Sequence, residues 1–240
     1  MSPVLFASDL DSTLVYPVRT QPREQATEAA EYRDGRALTC ASTELPTALA
    51  QLIAAGVDFV PVTARSRAML DALTPFRGTR TAVTSAGGRI WLDDEPVAEW
   101  DSELRRLLGD IATWAQARAA LKPLFAPEKW ITGELVIDDS WFILFAPHDR
   151  LPDDAEPRAR AVLEGLGWTA YGHGRKLYCL PANLRKEAAV SWLGARLEAP
   201  LVATAGTANS TSAFSDLPRW RFAPPEAAWQ PRRCVRPMFE

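Results

Sequence analysis

The chain has 240 residues, of which 47% are hydrophobic and 24% charged, and its formal net charge is −3. This composition is typical of a globular protein with one or two domains. The acidic balance argues against a nucleic-acid-binding protein, and no apolar run approaches the roughly 20 residues that span a bilayer. Three cysteines, Cys40, Cys179 and Cys234, lack metal-binding spacing. We therefore expect reduced thiols and a cytoplasmic location, without nucleic-acid or membrane partners.

The first strand ends at a pair of aspartates. Residues 4–8 form an apolar run that predicts a buried strand, and Asp9 and Asp11 follow it at once. Ligands of open α/β sheets bind at the carboxyl ends of the strands. Two carboxylates so close repel each other unless a cation or a shared proton separates them. An acidic turn without function is the alternative interpretation.

The next segments predict a parallel βαβ unit. Polar residues 17–38 indicate a mobile surface excursion, with a flap over the site as one interpretation. A helix begins near Leu45 and ends at Gly56, and residues 57–63 form a second buried strand. This spacing places Thr63 at the same sheet edge as Asp9.

The middle of the chain changes character and predicts an inserted α+β unit. A third core strand, residues 81–85, closes at a glycine-rich turn, after which strands are expected at 89–92, 135–137 and 141–145. A single helix is expected over 102–121. Six of the nine tryptophans fall in this insert, where we expect them to form core rather than a ligand platform.

The chain then returns to α/β character. Residues 176–181 predict a strand, Asn183 is a candidate cap for a helix that carries Lys186, and residues 200–206 predict a further strand.

These polar residues match the needs of phosphoryl transfer, which requires a nucleophile, a proton donor and positive charge around the phosphoryl oxygens. Asp9 is the candidate nucleophile, and Asp11 can protonate the leaving group and later activate water. Thr63 can donate a hydrogen bond to a phosphoryl oxygen, and Lys186 can supply a fixed charge. Mg²⁺ is expected against Asp9 and the main-chain carbonyl of Asp11. Taken singly, Thr63 is also compatible with a helix cap and Lys186 with a surface lysine.

Three segments resemble the motifs of the haloacid dehalogenase superfamily. They are Asp9-Leu10-Asp11-Ser12-Thr13-Leu14, Val60-Pro61-Val62-Thr63-Ala64-Arg65-Ser66, and Leu180-Pro181-Ala182-Asn183-Leu184-Arg185-Lys186. The resemblance covers residues 1 to about 206 and is to the sugar-phosphatase-like branch, whose α/β cap lies between the second and third motifs. It implies a Rossmann-like α/β core with a parallel sheet, residues 1–86 and 174–240, and an α+β cap, residues 87–173.

The resemblance also implies a function and further site residues. It implies a Mg²⁺-dependent phosphatase that acts through an aspartyl phosphate on a small phosphorylated metabolite, such as a sugar phosphate. Thr13 and Arg65 are then expected to bind substrate, although a surface ion pair is an alternative for Arg65.

Candidate cap contacts lie in the insert and at its return to the core. His173 and Arg175 are the expected substrate contacts, with a basic strand start as the alternative. Asp138 and Asp139 could face sugar hydroxyls or could form an exposed hairpin turn.

The sequence departs from the family pattern at the fourth motif, a glycine–aspartate pair with a second acid four residues later. Thr207 and Thr211 occupy the acid positions, and the residues beyond 206 contain no Gly, Lys or Ile. The metal then keeps Asp9 and one carbonyl, with Asn209, Ser210 or Asp216 as further candidates, and should bind more weakly. We therefore expect low phosphatase activity. The alternatives are an impaired member that binds a phosphorylated ligand without turnover and, less favoured, a phosphomutase.

A frameshift is our hypothesis for this departure. Gly-Thr-Ala-Asn-Ser-Thr, residues 206–211, can be encoded GGG ACA GCG AAC TCG ACC. One restored G gives Gly-Asp-Ser-Glu-Leu-Asp, with both acids at the family spacing. The gene sequence tests the hypothesis, because third bases that differ from these codons contradict it.

Overall fold

The computed structural model describes residues 4–22, 25–125, 130–147 and 150–206. Within these ranges the strands are β1 Val4–Asp9, β2 Val15–Pro17, β3 Thr27–Arg33, β4 Arg36–Ser42, β5 Val57–Val62, β6 Ala82–Thr84, β7 Arg89–Leu92, β8 Glu95–Pro96, β9 Gly133–Ile137, β10 Trp141–Phe145, β11 Trp168–His173, β12 Lys176–Pro181 and β13 Leu201–Ala205. The α-helices are α1 Leu45–Ala54, α2 Arg67–Asp71, α3 Ala98–Leu108, α4 Trp114–Phe125, α5 Ala155–Glu164 and α6 Lys186–Arg196. Short 3-10 turns cover Val18–Thr20, Thr74–Phe76 and Ser85–Gly87.

The core is a mixed sheet with strand order β13-β1-β5-β6-β7-β8, in which the first four strands run parallel. Leu5 and Ala7 of β1 lie in a buried cluster that includes residues of α6. Phe6 of the same strand packs on the other side, where its cluster includes residues of α1 and α2. Successive side chains of a strand point to opposite faces, so both faces of the sheet are covered, as parallel sheets require. The predicted α/β core is confirmed.

The polar segment after the first strand is not an irregular excursion. β3 and β4 form a hairpin, and β2 pairs with β4 to complete a small antiparallel sheet. Asp34 and Gly35 form the turn with φ of 50° and 73°, which is the conformation that Asp-Gly favours in two-residue hairpins. The prediction missed this local signal because it weighed only the overall polarity of the segment.

The insert contains a second antiparallel sheet with the order β11-β12-β10-β9. The helix predicted over 102–121 is wrong in its extent, because the structure has two helices there, α3 and α4. The chain breaks at Gly109, whose φ of 70° is unfavourable for other residues. As expected, the tryptophans of this region mostly form core, since Trp100, Trp130, Trp141 and Trp168 are buried.

Backbone pairing favours boundaries between core and cap that lie later in the chain than the expected residues 86 and 174. β7 and β8 hydrogen bond to the core sheet, whereas β12 pairs with cap strands β10 and β11. We propose a division after β8 and after β12, because backbone pairing is what ties each strand to its sheet.

The helix that carries Lys186 begins without the predicted cap. Its N-cap is Arg185, with no side-chain hydrogen bond to the helix, and Asn183 is exposed two residues earlier. The start of α6 is instead held by packing against the core, described below.

Two expectations concern the environment of the chain. Cys40 and Cys179 are buried free thiols, and burial raises the pKa of Cys179; Cys234 lies outside the described residues. In the described part of the chain, no helix is long and apolar enough to cross a bilayer.

Candidate active site

Asp9 and Lys186 meet at the carboxyl edge of the core sheet. Lys186 Nζ lies 3.0 Å from Asp9 Oδ1, and the two side chains are only 5% and 16% exposed. The main-chain N–H of Leu10 donates to the same oxygen at 2.7 Å. Oδ2 of Asp9 accepts no hydrogen bond from the described residues. The sequence-predicted pair is thus brought together across 177 residues of chain, with one carboxylate oxygen left for other chemistry.

A tight loop after β1 turns Asp11 toward solvent. The Leu10 carbonyl accepts the N–H groups of Thr13, Leu14 and Val15 at 2.9–3.0 Å, and Ser12 adopts a φ of 63°. The Asp11 side chain is half exposed. Thr13 Oγ1 is buried and forms no hydrogen bond within the described part of the chain. An orphaned buried hydroxyl of this kind is compatible with the predicted ligand contact of Thr13.

Arg65 holds Asp11 in place. Its Nη2 lies 2.9 Å from Asp11 Oδ1, its Nε lies 3.1 Å from Oδ2, and its Nη1 lies 2.9 Å from Glu31 Oε2. The Arg65 side chain is only 11% exposed. Burial by itself lowers the pKa of Arg65, but the Asp11 and Glu31 carboxylates outweigh it, and the pKa rises above its ordinary value. The structure contains the ion-pair alternative for Arg65, with the guanidinium and Glu31 largely buried and Asp11 half exposed.

Glu31 is a site residue that sequence reasoning missed. It lies on β3, and its carboxylate is 11% exposed. The small sheet thus contacts the site from the side, which accords with the flap interpretation. Only the hairpin geometry reveals this contact, because Glu31 belongs to a segment that appears uniformly polar in the sequence.

Thr63 is fully buried beside the aspartate strand. Val62, the residue before it, pairs with Asp9 in the sheet register. The Thr63 hydroxyl accepts a hydrogen bond from the N–H of Arg65 at 3.1 Å, and the main-chain N–H of Thr63 donates to the Val83 carbonyl at 2.9 Å. The helix-cap alternative does not hold, because Ser66 Oγ caps α2.

A strained turn after β6 supports the start of α6. Ser85, Ala86 and Gly87 have φ of 55°, 61° and 95°. A Cβ on Gly87 would lie 2.5 Å from the Arg185 carbonyl oxygen and 3.1 Å from the N of Lys186. The bare glycine therefore lets the two backbones approach closely, which fixes the point from which the Lys186 side chain extends. The sequence indicated a turn here but not this packing.

The cap contacts the same turn. Trp100 Nε1 donates to the Gly87 carbonyl at 3.0 Å, and Trp141 Nε1 donates to the Ser85 carbonyl at 3.2 Å. The Ser85 hydroxyl donates to Asp138 Oδ2 in the turn between β9 and β10. Asp139 is exposed, as the hairpin alternative predicts, whereas Asp138 faces the core.

The predicted cap contacts surround a more central lysine. His173 and Arg175 are exposed at the turn between β11 and β12, and the Arg175 guanidinium lies 5.6 Å from the Phe145 ring centre. Lys176 is half-buried, and burial lowers its pKa, which the nearby charge of Asp11 opposes. Burial, aided by Asp11, raises the pKa of Tyr178 to about 12. These two β12 residues were not predicted as site residues.

The site offers few metal ligands. Among the described residues there is no cluster of three or more side chains suited to a metal ion. Mg²⁺ is commonly held by one or two carboxylates together with waters and substrate phosphate. The Asp9 carboxylate and the Asp11 carbonyl oxygen satisfy that minimum, so these residues fit the ion. Gly206 lies against Asp9, 3.7 Å from its Cβ, and the fourth-motif positions Thr207 and Thr211 lie outside the described residues, as do Asn209, Ser210 and Asp216.

Solved structures share this fold. A sucrose-phosphatase from Synechocystis, in complex with sucrose and phosphate, aligns with a TM-score of 0.53 at 12% identity, covering 85% of this chain and 75% of that one. A trehalose-6-phosphate phosphatase related protein aligns at 0.50 with 16% identity, covering 84% and 77%. An IMP-nucleotidase from Plasmodium falciparum aligns at 0.54 with 10% identity, covering 89% and 63%. The chain therefore shares the fold of these proteins, which is the fold that the sequence resemblance implied.

This fold likeness stands without sequence similarity. No protein-family profile matches the chain, and no curated protein sequence is similar to it. At the carboxyl edge of the core sheet, the end of β1, the end of β5 and the start of α6 come together. Asp9, Thr63 and Lys186 occupy those three places here.

Proposed function

We propose that the chain is a Mg²⁺-dependent phosphomonoesterase that acts on a small phosphorylated metabolite through an aspartyl phosphate at Asp9. The supporting observation is the buried pair of Asp9 and Lys186, set beside Thr63 and Asp11 at the carboxyl edge of a parallel sheet. A carboxylate with one oxygen anchored and the other available is suited to nucleophilic attack. A sugar phosphate is our proposed substrate class, in keeping with two of the fold neighbours.

The first step transfers the phosphoryl group to the protein. Asp9 Oδ2 forms a bond to phosphorus while the bond from phosphorus to the ester oxygen breaks, and Asp11 donates its proton to that oxygen. Lys186 keeps Asp9 Oδ1 oriented and supplies positive charge, and Thr63 lines the adjacent strand end. Bound Mg²⁺, held by Asp9 and the Asp11 carbonyl, would reduce the repulsion between the carboxylate and the phosphate dianion.

The second step releases phosphate. Asp11 accepts a proton from water, the water oxygen bonds to phosphorus, and the bond between phosphorus and Asp9 breaks, which regenerates both carboxyl groups. In the structure both Asp11 oxygens accept hydrogen bonds from Arg65. Asp11 must therefore exchange one of these bonds to reach the leaving oxygen, and we propose that Arg65 positions Asp11 between the two steps.

A second candidate is a protein that binds a phosphorylated ligand without turnover. The sequence favours it at one point, since threonines replace both acids of the fourth motif. The described residues supply only Asp9 and Asp11 toward a metal. Both candidates use the same site, and they differ in whether Asp9 becomes phosphorylated. We further propose a cytoplasmic location, which the free thiols Cys40 and Cys179 support.

Hydrolysis of p-nitrophenyl phosphate, with and without Mg²⁺, tests the proposal. We expect slow but Mg²⁺-dependent release of phosphate that falls at least about a thousand-fold in Asp9→Asn, because the nucleophile is lost. Asp58→Asn is the matched control, because Asp58 is exposed on β5. Turnover that Asp9→Asn leaves unchanged would refute an active site at Asp9. Binding of inorganic phosphate without any turnover would favour the second candidate.

A further inference from the structure

The candidate site has more positively charged side chains than take part in its ion pairs. Asp9, Asp11 and Glu31 are the acids in these pairs, and Lys186 and Arg65 alone pair with all three. Three further cations are nearby, since Arg19 and Arg175 both act electrostatically on Lys176. None of these three forms an ion pair with a described residue.

Lys176 is the centre of this surplus. Of the four charged groups that act on it, Asp11 is negative, whereas Arg65, Arg175 and Arg19 are positive. Its ammonium group lies 6.0 Å from the Tyr178 ring centre, and the residue is half-buried. A partly desolvated ammonium among three guanidinium groups is unfavourable unless an anion compensates it. Arg65, Asp11 and Glu31 together carry one net negative charge, which offsets only one of the three unpaired cations.

The unpaired cations Lys176 and Arg175 belong to a different part of the site from the residues that would contact the transferred phosphate. Lys186 and Thr63 belong to the core sheet edge, where Asp9 would receive the phosphoryl group. Lys176 belongs to β12 and Arg175 to the turn before it, so both are cap residues. In the sheet register Lys176 lies opposite Phe145 and His173, on the same face as Tyr178. As cap residues, Lys176 and Arg175 are suited to contact the leaving group rather than the transferred phosphate.

We infer that the leaving group of the substrate carries a second anionic group, a carboxylate or another phosphate, which Lys176 and Arg175 bind. This inference rests on the proposed function and narrows its substrate class to doubly anionic phosphomonoesters. Arg19, from the 3-10 turn beside the small sheet, adds long-range attraction. A neutral sugar would leave the three unpaired cations with only the one surplus negative charge of the ion pairs.

Binding of matched compounds to the full-length Asp9→Asn chain tests the inference, since this variant holds the ester without turnover. Glycerol 3-phosphate and 3-phosphoglycerate differ by one carboxylate, and fructose 6-phosphate and fructose 1,6-bisphosphate differ by one phosphate. We expect the doubly anionic member of at least one pair to bind about ten-fold more tightly at low salt. The pair that shows the preference identifies the second group as carboxylate or phosphate.

Variants that each remove one positive charge show which residue is responsible for the tighter binding of the doubly anionic compound. In the same Asp9→Asn background, Lys176→Gln should reduce the ten-fold preference to about two-fold or less, and Arg175→Gln should weaken it. Lys122→Gln is the matched control, because Lys122 is exposed on cap helix α4, and it should keep the full preference. The control should also bind glycerol 3-phosphate as before.

The outcomes distinguish a failure of the substrate inference from a failure of the proposed function. Equal binding within both pairs, with Mg²⁺-dependent hydrolysis intact in the unmodified chain, overturns the inference and leaves the proposed function standing. A preference that survives Lys176→Gln also overturns it. If no phosphomonoester binds and none is hydrolysed, the proposed function fails and the inference fails with it.

Discussion

The contact between Gly87 and the start of α6 gives the most specific structural prediction. In Gly87→Ala the new Cβ would lie 2.5 Å from the Arg185 carbonyl oxygen, whereas ordinary contacts begin at 3.4 Å. Relief of this overlap requires a shift of about 1 Å. Because Arg185 directly precedes Lys186, the shift would stretch the contact with Asp9 from 3.0 Å to roughly 4 Å, beyond hydrogen-bonding distance.

The steric cost of a Cβ at Gly87 can be separated from the cost of placing alanine in a left-handed backbone conformation. A non-glycine residue in the left-handed region costs about 1–2 kcal/mol, and overpacking of a rigid contact adds about 1–3 kcal/mol. Gly78→Ala is the matched control, because Gly78 has a φ of 80° and no atom within 4 Å of its Cβ position. Gly78→Ala should therefore show only the cost of the left-handed conformation, and Gly87→Ala should show that cost together with the cost of overpacking.

Thermal unfolding and phosphate binding measure the two consequences. At about 2–4 °C per kcal/mol for a chain of this size, Gly78→Ala should lower Tm by roughly 2–8 °C and Gly87→Ala by several degrees more. Only Gly87→Ala should also weaken Mg²⁺-dependent binding of inorganic phosphate, measured well below its Tm, by about ten-fold or more. Equal Tm losses and equal phosphate binding in the two variants would refute the reasoning.

Three further predictions concern the groups around the site. Arg65→Lys should lower turnover by about ten-fold or more, since an ammonium group cannot replace the bidentate contact with Asp11; steady-state kinetics check this, and an unchanged kcat would contradict it. Ser85→Ala should lower the free energy of unfolding by about 1–2 kcal/mol in urea, because Asp138 loses its hydrogen bond to the core, and a value near zero would show that this contact is unimportant. Because burial lowers the pKa of Lys176, its positive charge is lost at a lower pH than that of a free lysine. The preference for a second anionic group should therefore decline as pH rises, with a midpoint below 10.5; a preference unchanged up to that pH would argue against Lys176.

The sequence was sufficient for the parts of the site that depend on strand and helix order. Asp9, Thr63 and Lys186 each follow or begin a regular element, and parallel strands bring their ends to one edge whatever the intervening loops do. The contact between Asp9 and Lys186 could therefore be anticipated from local patterns, although 177 residues separate them.

The missed features all depend on tertiary geometry. Glu31 reaches Arg65 only because β3 and β4 form a hairpin beside the core, and Asp138 reaches Ser85 only because a cap turn meets a core turn. Hydrophobic periodicity contains no information about such pairs, since they join exposed or polar positions. The division of core from cap that we propose differs from the expected one for a related reason, because the partner of strand β12 is decided by register and not by its composition.

The covalent state of Asp9 tests the central claim most directly. The full-length chain is mixed with p-nitrophenyl phosphate and Mg²⁺, quenched in acid within milliseconds, and the mass of the peptide that contains Asp9 is measured. We predict a phosphoryl group on Asp9 that is absent without Mg²⁺ and absent in Asp9→Asn. A chain that binds phosphate but never carries a phosphoryl group, or carries it on another residue, would contradict the account.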